Sequence, residues 1–294
     1  MNVLNELKFK IFASGSRVNL LIAINVAIFL FFSLLSVFEY LFTKQSNINN
    51  FVFNFLAVPT FLPKLLYRFW TPFTYMFLHD GFFHILFNML WLFWMGKILE
   101  GFLNSKKLTF VYLAGGLSGA FFYILCYNII PAYADASLSS AAVGASASVT
   151  AILVATATLV PNYTIHLMFI GAVRLVWIAI VYIIIDILSL AGSNAGGYLS
   201  HLGGAIFGFL FIKALQSGND WCKPFENVFE PKAKLKVVSK QEHKVSFNIR
   251  TDMPNQEIID AILDKISKNG YDNLTAKEKE TLFKLSTNNE EKRK

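Results

Sequence analysis

The sequence predicts an all-α polytopic membrane protein followed by a small soluble helical hairpin. Three observations support this fold class. Of the 294 residues, 55% are hydrophobic and only 15% are charged, whereas an average soluble domain carries about a quarter charged residues. The apolar residues form long runs, and the polar residues crowd into the last third of the chain. The length allows one membrane domain and a small appendage.

Six apolar segments are predicted to form membrane helices. The fourth is unusual, because residues 146–160 extend only about 22 Å before Pro161, whereas a bilayer core is about 30 Å thick. Residues 191–199 are rich in Gly, Ser and Asn and are predicted to be a loop, so that His201 begins the sixth helix. The predicted spans are residues 20–42, 82–99, 108–130, 146–160, 175–190 and 200–215.

The charges of the loops predict the orientation of the spans. Six spans place both termini on one side of the membrane. Lys and Arg occur in the N-terminal segment and in the second and fourth loops, but not in the third and fifth loops. The first loop departs from this pattern with Lys44, Lys64 and Arg68. The positive-inside rule still favours cytoplasmic termini, which places Ser146 toward the outer face.

The predicted domains are a cytoplasmic N-terminus (1–17), a six-helix membrane domain (18–215), a linker (216–254) and a helical-hairpin cytoplasmic tail (255–294). The alternating patches of the linker at 237–238 and 245–249 are compatible with short strands. In the tail, Gly270 is placed to end the first helix. Thr275 and Glu278 form a capping-box pattern for a second helix through Leu282, Phe283 and Leu285. Basic and acidic residues alternate here, which favours a solvated surface, with anionic lipid as the second interpretation.

Polar side chains inside the predicted spans are few, and such residues usually face a cavity or each other. His84 and Asn88 are four residues apart and therefore share one face of the second helix. Asp186 lies in the fifth span, and we expect it to be a structural or interfacial hydrogen-bonding group rather than a third catalytic member. Ser148 lies two residues after Ser146 and therefore faces away from it on a helix.

Small residues form a stripe on the fourth helix and another on the sixth. Such stripes let two membrane helices approach closely. If the two stripes pack together, Ser146 at the start of one helix comes beside His201 at the start of the other. The stripes consist of Ala147, Ala151 and Ala155 on the fourth helix, and Gly204 and Gly208 on the sixth.

A serine beside a histidine is a nucleophile beside a base. The hydroxyl of Ser146 needs a base to take its proton, and a neutral imidazole such as His201 suits that role. Acyl transfer also needs donors for the developing oxyanion. The backbone N–H of Ser146, the amide of Asn88 and the ring of His84 are the candidates. No carboxylate lies near His201 in the sequence, so the expected arrangement is a dyad.

Three motifs carry a family resemblance: His79-x₄-His84-x₃-Asn88, Gly144-Ala145-Ser146, and His201 within Ser-His-Leu-Gly-Gly at 200–204. In this order they resemble the rhomboid family of intramembrane serine proteases, over roughly residues 18–215. The resemblance implies a six-helix rhomboid-like bundle in a bacterial inner (cytoplasmic) membrane. It also implies Ser146 as nucleophile, His201 as base and an oxyanion hole that includes His84 and Asn88. The substrate would be another protein's transmembrane segment, cut near its outer end.

The sequence departs from the family pattern at a few positions. Thr150 replaces an aromatic residue often found four positions after the serine, so position 150 supplies no ring to stack under His201. Tyr67-Arg68 stands in place of the usual Trp-Arg pair, and Ala147 and Ser200 replace a glycine and an alanine. None of these changes removes a predicted catalytic group.

Two other function classes compete with a protease. A rhomboid-like pseudoprotease would bind transmembrane segments for quality control, but such proteins lack the serine or the histidine. A transporter would show internal repeats or interrupted helices in both halves, which this sequence lacks. We expect no metal ion, no organic cofactor and no nucleic acid. Cys126 and Cys222 are predicted to be unpaired thiols. The substrate's identity and the oligomeric state do not follow from the sequence.

Overall fold

In a computed structural model, residues 3–167, 171–225 and 255–280 are described, and the chain divides into two compact units, Met1–Lys232 and Ala233–Lys294. The first unit contains all six predicted apolar segments. The short helices that precede or connect the long ones are α1 (Val3–Lys8), α3 (Asn47–Phe51), α4 (Leu62–Tyr67) and α5 (Thr71–Thr74), with π-helical turns at Phe9–Ala13 and Val52–Leu56 and 3₁₀ turns at Tyr75–Phe77, Pro131–Tyr133 and Lys223–Phe225.

Each predicted apolar segment forms a helix. Within the described ranges, four of these helices are long and apolar enough to cross a membrane by length and composition, and two are shorter apolar helices of 14 residues each. This arrangement confirms the predicted all-α bundle, while the number of spans stays a prediction. The long helices are α2 (Arg17–Thr43), α6 (Phe82–Phe102), α7 (Ser105–Ile129) and α10 (Ala195–Gln216), and the shorter ones are α8 (Ser146–Leu159) and α9 (Leu175–Leu188).

The predicted start of the sixth helix is wrong. Helix α10 begins at Ala195 rather than at residue 200, so residues 195–199 are helical and His201 lies in the second turn. Glycine and serine are poor helix formers, but here the missing side chain is useful. A Cβ atom on Gly196 would lie 2.7 Å from the ring of Tyr123 on α7, and tertiary packing therefore stabilises this turn.

Short paired strands provide hydrogen-bond partners for the irregular backbone beside α8. Strands β1 (Val58–Pro59) and β2 (Ala141–Ala142) are antiparallel. The N–H of Thr60 also donates to the carbonyl of Ser140 at 3.2 Å. A second hairpin, β3 (Thr164–Leu167) with β4 (Gly171–Arg174), connects α8 to α9. Non-helical backbone at membrane depth needs such internal partners.

The described part of the second unit contains α11 (Asn255–Asn269), and it confirms the predicted stop and cap. Gly270 follows the helix with a φ of +78°, and the Thr275 hydroxyl and N–H both donate to the Glu278 carboxylate at 2.7 Å. Hydrogen bonds from Lys265 and then from Thr275 lower the pKa of Glu278 to about 2. The rest of the predicted second helix and the alternating patches at 237–238 and 245–249 lie outside the described residues.

Candidate active site

A cavity of about 810 Å³ opens among α6, α8, α9 and α10. It brings together the four polar residues that the sequence singled out, which come from three separate helices. Two further polar side chains, from α8 and α9, line it as well. The polar lining that matters to the chemistry consists of His84, Asn88, Ser146, Thr150, Tyr182 and His201.

Ser146 is the first residue of α8, and the coil before it depends on Gly144. Gly144 has a φ of +138°, a conformation that L side chains rarely adopt, and its N–H donates to the Tyr75 carbonyl at 2.9 Å. A Cβ atom here would lie 3.0 Å from the His84 ring and 3.4 Å from Ser146 Oγ. The missing side chain therefore lets the imidazole and the hydroxyl face the same space.

The backbone N–H of Ser146 has no intrahelical partner, because it belongs to the first turn of α8. In the described part of the chain, neither this N–H nor the Ser146 hydroxyl makes a hydrogen bond. The side chain is half-buried and lines the cavity. Among the described residues, this cavity-lining serine thus has a hydroxyl and a backbone N–H that are both without a hydrogen-bond partner.

Helices α8 and α10 touch backbone to backbone along the two small-residue stripes. A Cβ atom on Gly204 would collide with the carbonyl oxygen of Ala147, and one on Gly208 would collide with that of Ala151. Both alanines are buried. Only glycine permits so close an approach, which sets the separation between the N-terminal end of α8 and the second turn of α10.

Side chains of Asp186 and Tyr182 contact His201 at its Nδ1 atom. This nitrogen lies 3.2 Å from both carboxylate oxygens of Asp186 and 3.3 Å from the Tyr182 hydroxyl. The tyrosine ring also packs against the imidazole, with ring centroids 5.8 Å apart at an angle of 32°. No hydrogen bond joins His201 to Ser146 within the described ranges, although both line the cavity.

The surroundings of His84 determine its tautomer. The backbone N–H of Asp80 donates to His84 Nδ1 at 3.3 Å. A backbone amide only donates, so Nδ1 is the acceptor and Nε2 carries the proton. Asn88 uses one amide hydrogen to bond the His84 carbonyl at 2.8 Å, and its second hydrogen has no acceptor in the part of the chain that the structure describes. Each residue therefore has one N–H available as a donor.

Comparison with known families matches this part of the chain to one model. The model of the rhomboid domain matches residues 67–217, just over half of the chain. The chain belongs to the rhomboid family. Rhomboid proteins are an intramembrane protease family, and the matched range contains every cavity residue named above. A second model, that of a family of unknown function (DUF6576), matches residues 246–288.

The aromatic residue that rhomboid sequences often carry after the serine has a substitute here. Thr150 occupies that position, and its hydroxyl donates to the Tyr182 hydroxyl at 3.4 Å. Tyr182 comes from α9 and supplies the ring beside His201. Neither the role of Tyr182 nor its pairing with Thr150 is predictable from the sequence, because the contact joins two different helices.

The contact between Asp186 and His201 is the other feature of this rhomboid domain that no local sequence pattern predicts. Asp186 was expected to be a structural or interfacial hydrogen-bonding group, and the base was expected to act in a dyad without a carboxylate. The carboxylate instead contacts the predicted base directly. One available signal was its isolation, since it is the only charged residue in the 14 residues of α9.

The remaining candidates lie away from the cavity. Ser148 is fully buried, and its hydroxyl lies 4.0 Å from the sulfur of Met76. His79 packs edge-on against the His84 ring. Cys126 and Cys222 are both buried, and no disulfide joins them. Among the described residues, no group of three His, Cys, Asp or Glu side chains is arranged to hold a metal ion.

Proposed function

We propose that this rhomboid protein is an intramembrane serine endopeptidase that cleaves transmembrane segments of other membrane proteins, with Ser146 as nucleophile and His201 as general base. The observation that supports the proposal is the shared cavity, which contains a free serine hydroxyl, a histidine and two side-chain N–H donors. A nucleophile, a base and oxyanion donors around one space are what acyl transfer requires.

In the proposed reaction, His201 Nε2 accepts the proton of the Ser146 hydroxyl as Oγ attacks the carbonyl carbon of the scissile peptide bond. The oxyanion accepts hydrogen bonds from the Ser146 backbone N–H, the His84 Nε2–H and the free hydrogen of Asn88. The imidazolium then gives its proton to the leaving amine, and water hydrolyses the acyl-enzyme with His201 again as base. The loss of one oxyanion donor typically costs roughly 10²–10³ in rate.

The short length of α8 explains how water reaches the proposed nucleophile. A helix of 14 residues is about 21 Å long, less than a bilayer core of about 30 Å. If α8 spans from the cytoplasmic side, Ser146 lies below the outer surface, and the cavity brings water to it. We further propose six spans with both termini in the cytoplasm, in line with the loop charges. Cysteines introduced near each terminus and labelled from one side only test this orientation.

Active-site labelling tests the proposed nucleophile. In detergent, a fluorophosphonate probe should label the wild type, and Ser146→Ala should abolish both labelling and cleavage of a model transmembrane substrate. Ser148→Ala is the matched control, because this neighbouring serine lies outside the cavity and should leave labelling in place. His201→Ala should also prevent cleavage while the protein still inserts.

Two outcomes would contradict this proposal. Labelling that survives Ser146→Ala but disappears in Ser148→Ala would move the nucleophile to the other serine. A wild-type protein that binds a transmembrane segment without cleaving it, and without reacting with the probe, would instead indicate a binding protein of the same family.

A further inference from the structure

We infer that Asp186 is a positioning residue for His201, so that the proposed site works as a Ser146–His201–Asp186 triad rather than a dyad. The inference rests on the proposed function. It also goes beyond that function, because it assigns a role to a carboxylate on a third helix. Four observations support it: the burial of Asp186, its side-chain partner among the described residues, the geometry at Nδ1 and the arrangement of α9.

Asp186 is buried on an apolar helix, where removing a carboxylate from water has a high free-energy cost. Its side chain is 4% exposed, on a helix whose other buried residues are only Leu175 and Ala179. A carboxylate removed from water costs free energy unless a partner compensates for it. An apolar residue would avoid this cost entirely. The presence of a charged group here therefore needs a compensating contact.

His201 is that contact. Among the described residues, the Asp186 carboxylate hydrogen-bonds to no side chain other than this imidazole. The imidazole itself is only 12% exposed. The two polar groups therefore satisfy each other in an apolar setting, where a hydrogen bond to a charged group is stronger than in water.

The geometry selects one tautomer of the base. An ionised carboxylate only accepts hydrogen bonds, and both Asp186 oxygens lie 3.2 Å from His201 Nδ1. The proton of the neutral imidazole is therefore held on Nδ1. This leaves Nε2 unprotonated, as a base must be to accept the Ser146 proton. When the imidazolium forms during the reaction, the nearby negative charge stabilises it.

Helix α9 presents a second group to the same nitrogen. Tyr182 lies four residues before Asp186 and so shares its face of the helix. Its hydroxyl is 3.3 Å from Nδ1, and the Thr150 hydroxyl donates to it at 3.4 Å. The two α9 side chains therefore restrict the ring of His201 by a hydrogen bond and by ring packing. Within the described part of the chain, His201 Nε2 makes no hydrogen bond.

The simpler alternative is that Asp186 only ties α9 to α10. Both roles predict a loss of stability when the carboxylate is removed, but only positioning predicts a change in tautomer and in kcat at constant substrate affinity. The experiment compares Asp186→Asn and Asp186→Leu with the wild type. Leu suits the apolar helix and therefore provides a folded variant if Asn does not.

Asn25→Leu is the matched control for stability. Asn25 is fully buried on α2, donates to the Tyr112 hydroxyl on α7 at 3.0 Å, and does not line the cavity. Its loss removes an interhelical hydrogen bond without touching the proposed site. Each variant is measured in detergent for Tm, for kcat and KM on a model transmembrane substrate, and for the ¹⁵N resonances of its histidines, with His201→Ala for assignment.

We expect the wild type to show a protonated Nδ1 and an unprotonated Nε2 at His201, and Asp186→Asn and Asp186→Leu to lose this single tautomer. We also expect kcat to fall at least about tenfold, with the corresponding carboxylate of serine proteases setting an upper range near about 10⁴. KM should stay within about twofold, because the carboxylate does not contact the substrate. Asn25→Leu should lower Tm and leave kcat and the tautomer unchanged.

The inference fails if both Asp186 variants keep the wild-type tautomer, or if they keep kcat and lower only Tm, as Asn25→Leu should. The failure of the proposed function would look different, since the wild type itself would then neither cleave nor react with the fluorophosphonate probe. In that case the ¹⁵N resonances would still decide whether Asp186 holds the imidazole.

Discussion

Helices α8 and α9 have the same length of 14 residues but opposite environments. Ten residues of α8 are buried, whereas α9 buries only Leu175, Ala179 and Asp186. Helix α8 carries the proposed nucleophile at its N-terminal end and is packed against α7 and α10. Helix α9 carries the two side chains that hold the proposed base, and most of its large apolar residues are exposed outside the protein's own core.

The difference between α8 and α9 shows that the proposed site depends both on close helix packing and on polar contacts. The position of Ser146 follows from close backbone packing that few substitutions would tolerate. The orientation of His201 follows from two polar contacts with a helix that makes little packing of its own. Loss of buried packing on α8 should therefore appear mainly as lost stability, and loss of the polar contacts from α9 mainly as lost activity.

The largest expected effect comes from equal truncations in the two helices. Ile152 on α8 is 0% exposed, whereas Ile184 on α9 is 49% exposed. Ile152→Ala leaves a cavity and should lower the free energy of unfolding by about 2–5 kcal/mol. Ile184→Ala should change it by no more than about 0.5 kcal/mol. Reversible unfolding in mixed micelles measures both, and equal losses would show that α9 is as tightly packed as α8.

A smaller effect is expected when the α8–α10 contact is overpacked. Gly208→Val places a side chain against the Ala151 backbone and should lower the free energy of unfolding by about 1–3 kcal/mol. Gly101→Val is the control, because no atom lies within 4 Å of a Cβ atom at this exposed position of α6. Thermal unfolding in detergent compares the two. If the Tm of Gly208→Val were no lower than that of Gly101→Val, the close contact between α8 and α10 would not contribute to stability.

The smallest effect should come from one hydroxyl on α9. Tyr182→Phe keeps the ring beside His201 but removes the hydroxyl that lies near Nδ1 and Thr150. A typical net hydrogen bond of about 0.5–1.5 kcal/mol corresponds to about a 2–10-fold decrease in kcat, with little change in Tm.

Tyr163→Phe is the control for this substitution, because Tyr163 lies outside the cavity. It should leave kcat unchanged. If Tyr182→Phe reduced kcat as much as Asp186→Asn, the hydroxyl rather than the carboxylate would be the main support of the base.

Local sequence patterns predicted the helices, the helix cap and stop in the tail, and the family of this protein. The long apolar runs predicted six helices, because a continuous apolar segment of sufficient length is stable as a membrane helix. The cap at Thr275 and the stop at Gly270 were equally predictable, since each depends on residues within one helical turn. The three motifs around His84, Ser146 and His201 pointed to the rhomboid family, and the family comparison confirms it.

Other features depended on the packing of distant segments. The start of α10 at Ala195 was missed because Gly and Ser weaken the local helix signal, while the fit of Gly196 against Tyr123 stabilises that turn. The short strands β1 and β2 pair residues more than 80 positions apart, and neither has enough length to show a pattern of its own.

The surroundings of the proposed base show most clearly which features follow from the sequence and which depend on the tertiary structure. The sequence by itself placed Ser146 and His201 on two helices with complementary small-residue stripes, because spacing along a helix determines which side chains share a face. Only the tertiary structure decided that Asp186 and Tyr182 meet His201. That contact depends on how α9 is positioned beside α10, and no local pattern of residues encodes the position of one helix relative to another.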